Sequence, residues 1–155
     1  MGVIMDFSTK ISDLKLIKLK QIKDDRGAVY HYLKSTDKTF KGFGEAYYSK
    51  INTGVVKGWK MHNQMHQNFC VPFGVVKIVV FDNREDSKTK GEIDEIVLDD
   101  DSNYCLLSMP PKLWYSFKGI SEHPSLLANI IDQPHDDVES ITLPLNNSTI
   151  PYEWK

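Results

Sequence analysis

Residues 54–84, which read GVVKGWKMHNQMHQNFCVPFGVVKIVVFDNR, decide the fold of this chain. Two runs rich in β-branched and aromatic residues flank a polar segment that contains His62 and His66. Gly74 separates residues 68–73 from residues 75–81, and the second of these runs is apolar at nearly every position. Short runs of this kind between turn residues are typical of strands, and a strand without polar positions is expected to be covered on both faces. The stretch therefore predicts strands of a barrel.

The rest of the chain repeats the same pattern and predicts a single all-β domain over residues 1–155, with residues 1–13 as an N-terminal extension. A jelly-roll barrel is the economical arrangement for about ten short strands. Helix is limited to one or two turns within residues 136–142, and the aromatic tail 150–154 is expected to pack back on the barrel. The predicted hairpins and further strands are residues 14–23 with 28–33 (turn 24–27), 45–51 with 55–61 (turn 52–54), 68–73 with 75–81, 95–98, 104–109, 113–117 and 125–131.

Composition excludes several classes of protein. The 155 residues include 19 basic and 21 acidic side chains, which are dispersed along the chain, so no basic field exists to bind nucleic acid. No apolar run is long enough to span a bilayer, and the N-terminus lacks the pattern of a signal peptide, so a cytoplasmic protein without membrane contact is expected. Cys70 and Cys105 lie in apolar runs and are expected to be buried free thiols.

The layout of residues 54–84 resembles the barrel hairpin of the cupins, whose jelly roll is also called a double-stranded β-helix. Most cupins bind a metal through three histidines and a glutamate. In this chain those positions fall on Lys60, His62, His66 and Tyr115. A protonated lysine offers no lone pair, and two histidines fall short of the three or four ligands of a stable site. We therefore predict no metal and no other cofactor, and a metal-dependent cupin is the disfavoured alternative.

Five short motifs follow one another in an order that resembles the dTDP-4-dehydrorhamnose 3,5-epimerase family, from about residue 23 onwards. Residues 56–60 (VKGWK) also resemble a shorter subgroup of that family, associated with surface-polysaccharide clusters. The resemblance implies a homodimeric epimerase or isomerase that moves the proton next to the keto group of a nucleotide-activated 4-keto (6-deoxy) sugar. The motifs are residues 25–27 (DRG), 54–59 (GVVKGW), 74–84 (GVVKIVVFDNR), 109–111 (MPP) and 150–154 (IPYEW).

The same resemblance marks two candidate catalytic residues and shows how the chain departs from the family. The position of the family's catalytic histidine holds Lys60, and the position of its acidic tyrosine holds His135. Histidine titrates nearest neutrality, so His135 is expected to act as the general acid/base. Lys60 is expected to stay protonated and to stabilise the enolate as a cation.

The remaining candidates are expected to bind the substrate. Arg26 and Lys57 occupy positions at which the family uses arginines to hold the nucleotide diphosphate, and lysine still neutralises phosphate although it loses bidentate geometry. The other candidates line the expected cavity or stack on the ligand: Glu45, Tyr47, Trp59, His62 and Tyr115.

Lys57 and Lys60 pose a geometric question, because strict strand alternation places them on opposite faces. Both side chains can face one cavity only if the strand bulges, and Gly58 is where a bulge would be tolerated. The altered catalytic positions also leave a second function open, that of a non-catalytic nucleotide-sugar or carbohydrate-binding cupin.

Overall fold

The computed structural model describes residues 8–155, and the regular structure within this range consists of twelve β-strands. Residues 1–7, the first part of the predicted N-terminal extension, lie outside the described residues. The strands are β1 (Lys15–Lys18), β2 (Gln21–Asp24), β3 (Gly27–Tyr30), β4 (Glu45–Ile51), β5 (Val56–His62), β6 (Gln67–Phe73), β7 (Val75–Phe81), β8 (Ile93–Asp99), β9 (Cys105–Met109), β10 (Trp114–Gly119), β11 (Ser125–Ile131) and β12 (Ser140–Thr142).

The strands form two five-stranded antiparallel sheets and a separate hairpin. The first sheet has the order β1-β9-β6-β11-β4, the second has the order β12-β5-β10-β7-β8, and β2 pairs only with β3. Strands that follow one another in sequence mostly belong to opposite sheets, which is the arrangement of a jelly roll. The predicted fold class is therefore confirmed.

Two of the predicted hairpins are wrong. β4 pairs with β11 in the first sheet, whereas β5 lies between β12 and β10 in the second. β6 and β7 are also in different sheets, although only Gly74 separates them. Gly54 and Gly74 do adopt the positive φ of a tight turn, at +78° and +87°, but these turns carry the chain from one sheet to the other. The sequence shows that a turn exists and not which strand the next one joins.

Other predictions about local structure are confirmed in part. The hairpin around residues 24–27 is confirmed as β2 and β3, although the run 14–23 divides into β1 and β2. Residues 136–142 contain no helix, and their last three residues form β12, because they pair with β5 along its free edge. Cys70 and Cys105 are buried and free, as predicted. Among residues 8–155, no helix is long and apolar enough to cross a membrane.

The apolar core lies on both faces of the second sheet. Between the sheets, Val76 and Ile78 of β7 pack with the inner residues of the first sheet. On the outer face, Val79 and Phe81 pack under the C-terminal tail, whose Trp154 donates its indole N–H to Ser116 Oγ at 2.8 Å. The predictions that β7 is covered on both faces and that the tail packs back on the barrel are confirmed.

Candidate active site

A cavity of about 300 Å³ lies between the two sheets and is lined by residues of β4 and β6 on one side and of β5, β10 and β12 on the other. The second sheet contributes two lysines and two aromatic rings, and the first sheet contributes a tyrosine, a serine and a phenylalanine. Polar groups set in an aromatic wall are typical of a ligand site. The lining side chains include Tyr47, Ser49, Lys57, Lys60, Phe69, Tyr115, Phe117 and Thr142.

The predicted bulge in β5 is what brings both lysines into this cavity. β5 pairs with β10 so that Lys60 lies opposite Tyr115 and Gly58 lies opposite Ser116, which leaves Trp59 without a partner on β10. The extra residue shifts the alternation by one, so that Lys57 and Lys60 both line the cavity. Gly58 has a φ of +125°, a backbone conformation open mainly to glycine.

The same bulge turns the Trp59 side chain away from the cavity. Trp59 is 0% exposed and packs in the outer cluster, edge-on to Tyr152 with the ring centroids 6.1 Å apart. Trp59 borders the cavity, whereas its ring packs in the outer core, and its predicted contact with the substrate stays a prediction.

A chain of hydrogen bonds between side chains runs behind the cavity wall. Glu139 Oε2 lies 2.7 Å from His62 Nδ1, and His62 Nε2 lies 3.2 Å from the Tyr115 hydroxyl. That hydroxyl also lies 3.2 Å from Gln67 Oε1. This series of hydrogen bonds continues through the Asn129 amide, which donates to Gln67 Oε1 at 3.0 Å and to the Tyr47 hydroxyl at 3.1 Å. Two cavity tyrosines are thus joined by buried amides, and one of them is backed by a histidine–carboxylate pair.

His62 lies deeper than the sequence predicted. It is 1% exposed and its Nε2 contacts the Tyr115 hydroxyl, and its predicted contact with the substrate stays a prediction. Its partner Glu139 is fixed by backbone N–H groups of Gln64 and Met65, which donate to Oε1 at 2.6 and 3.0 Å. The imidazole is therefore held from one side by an immobilised carboxylate and from the other by a cavity hydroxyl.

The protonation states follow from this environment. Burial lowers the pKa of His62 below its usual value, and the neighbouring Glu139 carboxylate only partly opposes that effect. Burial tends to raise the pKa of Glu139, but the N–H donors of Gln64 and the imidazole outweigh it and lower the pKa. Burial raises the pKa values of Tyr115 and Tyr47. Near neutral pH the site therefore contains a carboxylate, a neutral imidazole and two neutral phenols.

His135 and Glu45 lie together at the edge of the site and not inside the cavity. The backbone N–H of His135 donates to Glu45 Oε1 at 3.0 Å. The imidazole Nε2 lies 2.8 Å from Asp137 Oδ1, and the side chain is 43% exposed. His135 belongs to the segment between β11 and β12 that also carries Glu139, so it is near the site with its ring turned to the surface.

Arg26 lies outside the cavity of its own chain. Its side chain is 86% exposed and pairs with Asp24 at 2.6 Å within the β2–β3 hairpin. That hairpin is tied to the β8–β9 loop, where Lys23 Nζ lies 2.5 Å from Asp101 Oδ1. Strand register places this loop at the opposite end of the second sheet from His62.

The side chains considered as metal ligands do not converge. His66 Nε2 contacts Ser108 Oγ at 3.1 Å, while His62 faces Glu139 and Tyr115. Within residues 8–155, no group of three or more His, Cys, Asp or Glu side chains is arranged to hold a metal ion.

Three residues of the hydrogen-bonded chain were not among the sequence candidates: Gln67, Asn129 and Glu139. Asn129 interrupts the apolar run of β11, and that pattern could have marked it, whereas Gln67 lies at the polar start of β6. No comparable signal marks Glu139, because its contact with His62 joins residues 77 positions apart.

Fold and cavity together define the class, a cupin-type barrel with a polar site between its sheets. The sequence model of the dTDP-4-dehydrorhamnose 3,5-epimerase family matches residues 8–155. The chain belongs to this family, as the order of its motifs predicted.

Similar proteins come from distant organisms. The chain is 30% identical over 146 residues to the spore coat polysaccharide biosynthesis protein SpsL of Bacillus subtilis, covering 93% of this chain and 96% of SpsL. It is 32% identical over 148 residues to the probable low-salt glycan biosynthesis epimerase Agl13 of Haloferax volcanii, and the match covers 93% of this chain and 94% of Agl13. The crystal structure of a dTDP sugar isomerase from Desulfovibrio desulfuricans G20 superposes with a TM-score of 0.91 at 38% identity. The superposition covers 94% of this chain and 92% of the isomerase.

Proposed function

We propose that this protein is an epimerase or isomerase of a nucleotide-activated 4-keto (6-deoxy) sugar in surface-polysaccharide biosynthesis, and that it works without a metal. The observation that carries the proposal is the pairing of Lys60 with Tyr115 on adjacent strands, with both side chains lining one cavity. Family membership and the names of the relatives, an epimerase of glycan biosynthesis and a spore coat polysaccharide protein, support the substrate class.

The chemistry requires a base, a cation near the keto oxygen and a proton source on the other face of the sugar. Lys60 supplies the cation, because its ammonium group needs no change of protonation to stabilise an enolate oxygen. His135 supplies the proton at the mouth of the site. In the structure its ring faces Asp137, so this role requires the side chain to rotate towards the cavity. Lys57, Glu45 and Tyr47 are proposed to bind the sugar nucleotide.

Solvent exchange tests the function. A dTDP-activated 4-keto-6-deoxyhexose incubated with the protein in D₂O is expected to gain deuterium at the carbon next to the keto group. Mass spectrometry and proton NMR locate the label. If the protein binds several 4-keto sugar nucleotides and exchanges a proton in none of them, it is the non-catalytic binding member of the fold, which is the alternative function.

The phosphate-binding role of Arg26 calls for a second copy of the chain. The hairpin that carries Arg26 exposes the apolar side chains of Ile22 and Val29, and it pairs with no other strand among the described residues. We propose that the protein is a homodimer in which this hairpin lies against the partner and presents Arg26 to the partner's cavity.

Replacing Arg26 with Ala is expected to weaken nucleotide-sugar binding by about 1–3 kcal/mol, because a charged hydrogen bond to phosphate is lost. Isothermal titration calorimetry measures the change. Lys23→Ala is the matched control, since it removes a cation of the same hairpin that pairs with Asp101. Unchanged affinity in a folded Arg26→Ala protein would show that Arg26 does not bind the phosphates.

A mixed dimer tests the shared site. One copy carries Arg26→Ala and the other carries Lys60→Met, and two different tags allow the mixed dimer to be isolated. One of its two cavities then combines an intact Lys60 with an intact Arg26, so about half of the wild-type exchange activity is expected. Light scattering should give the mass of a dimer. A monomeric mass, or a mixed dimer as inactive as Lys60→Met alone, would contradict the proposal.

A further inference from the structure

The Tyr115 hydroxyl contacts two possible hydrogen-bond acceptors but has only one proton to donate. His62 Nε2 and Gln67 Oε1 both lie 3.2 Å from its oxygen. His62 Nδ1–H donates a hydrogen bond to the Glu139 carboxylate, so in the neutral imidazole Nδ1 carries the proton and Nε2 is the acceptor. In that state the Tyr115 hydroxyl donates a hydrogen bond to His62 Nε2.

The other protonation state is satisfied by the same contacts. If His62 becomes an imidazolium, Nε2–H donates to the tyrosine oxygen, and the hydroxyl proton turns to Gln67 Oε1. Glu139 then compensates the positive charge at 2.7 Å. The arrangement therefore has a hydrogen-bonded partner for every polar hydrogen of Tyr115 and His62 both before and after a proton reaches the imidazole.

Tyr115 is also the member of this group that reaches the cavity. Its ring is positioned by Phe69 and Phe117, with ring centroids 5.6 and 6.3 Å away, and it lines the cavity beside Lys60. His62 is shielded from the cavity by this ring, so any proton exchanged between His62 and a bound sugar passes through the phenolic oxygen.

We propose that the base of the reaction is the His62–Glu139 pair, acting through the hydroxyl of Tyr115. This inference rests on the proposed function and names the base that it lacks. By the family resemblance, the position of the catalytic histidine holds Lys60 in this chain. The structure places a different histidine–carboxylate pair behind the same cavity wall.

The proton transfer balances without any co-reactant. The C–H bond beside the keto group breaks, and its proton forms a new bond to the Tyr115 oxygen. The electron pair left on carbon forms the C=C bond of the enolate, and the carbonyl π pair moves to the oxygen facing Lys60. At the same time the original hydroxyl proton passes to His62 Nε2. Tyr115 is neutral before and after the step, so its raised pKa is no obstacle.

Replacement of the hydroxyl is the first test, with Tyr115→Phe compared against Tyr152→Phe. Tyr152 donates its hydroxyl to Glu95 on the outer face of the barrel, so its variant controls for the loss of a phenol elsewhere. Deuterium exchange into the 4-keto sugar nucleotide is expected to fall at least about 100-fold in Tyr115→Phe, the usual worth of a general base. Exchange in Tyr152→Phe should equal that of the wild type.

The pH profile of exchange tests the role of His62 and Glu139 as groups that act behind Tyr115. The charged and titratable groups around His62 are Glu139 before β12, Tyr115 on β10, Lys60 on β5 and His135 after β11. Exchange in the wild type should rise with pH as His62 loses its proton. Glu139 stabilises the imidazolium, so Glu139→Gln should move this rise to lower pH and reduce the plateau. A purely structural carboxylate would reduce the rate without moving the rise in this direction.

The tautomer of His62 can be measured directly, without turnover. Nitrogen-15 NMR of the ligand-free protein near neutral pH is expected to show His62 as the neutral tautomer protonated at Nδ1. The Nε2–H tautomer would overturn the relay. So would full exchange in a folded Tyr115→Phe protein whose wild type is active, and that result would leave the proposed function intact. A wild type that binds 4-keto sugar nucleotides without exchange would overturn both.

Discussion

Lys60→Met is expected to lower proton exchange by about 100- to 1,000-fold, the range measured when one donor to a developing oxyanion is removed. Methionine keeps an unbranched apolar side chain of similar size but not the charge. Lys60 lies beside Tyr115 in the cavity wall, where an ammonium group can face an enolate oxygen. The ground-state ketone carries little charge, so nucleotide-sugar binding should change only a few-fold.

Lys90→Met is the matched control, because that lysine forms a surface ion pair with Glu85 outside the cavity. It should keep full exchange and full binding. Stopped-flow measurement of exchange together with calorimetry separates the rate from the affinity. An equal loss of both in Lys60→Met would make the lysine a binding group and not a stabiliser of the enolate.

Gly58→Ala is expected to cost about 2–5 kcal/mol of unfolding free energy, as overpacking and an unfavourable backbone add together. A Cβ at this position would lie 2.8 Å from Ser116 Cα and 2.9 Å from the Tyr115 carbonyl oxygen. The φ of +125° adds strain for any side chain. Relief requires β5 to move away from β10, which would carry Lys57 and Lys60 with it, so activity should fall as well.

Gly54→Ala separates the two causes. Gly54 also has a positive φ, at +78°, but a Cβ there meets nothing within 4 Å. Gly54→Ala should lower the free energy of unfolding by about 1–2 kcal/mol, because only the backbone conformation is unfavourable. Urea denaturation of both variants measures the difference. Similar losses in the two proteins would mean that close packing at the bulge does not determine its stability.

The sequence predicted the strands far better than their partners. Alternating and apolar runs reflect local preference and burial, so the extent of β4, β6, β7 and β11 was close to what the structure shows. Pairing depends on contacts between distant segments, and a turn at Gly74 looks the same whether it closes a hairpin or crosses between sheets. The hairpin predictions failed for that reason.

The candidate site was predictable to a similar degree. The family resemblance pointed to Lys57, Lys60, Tyr47 and Tyr115, which line one cavity. The Gly58 bulge followed from requiring both lysines to share that cavity. The pairing of His62 with Glu139 did not follow, because the carboxylate reaches the imidazole from a segment that precedes a three-residue strand, and no spacing in the sequence links them.

The crossing pattern of the strands has a consequence for the order of events during folding. The cavity is closed by side chains from β4, β5, β6 and β10, together with Thr142 of β12, so its wall is incomplete until the last strand has docked. Consecutive strands pair with each other only at β2–β3 and β7–β8 among the described residues. Contacts of such large sequence separation form slowly.

A partly folded chain, or a nascent chain still short of residue 142, therefore has no competent site. Ligand binding therefore requires the completed barrel. A sugar nucleotide that fits the cavity should stabilise only the protein whose last strand is in place, so the melting temperature should rise with ligand concentration.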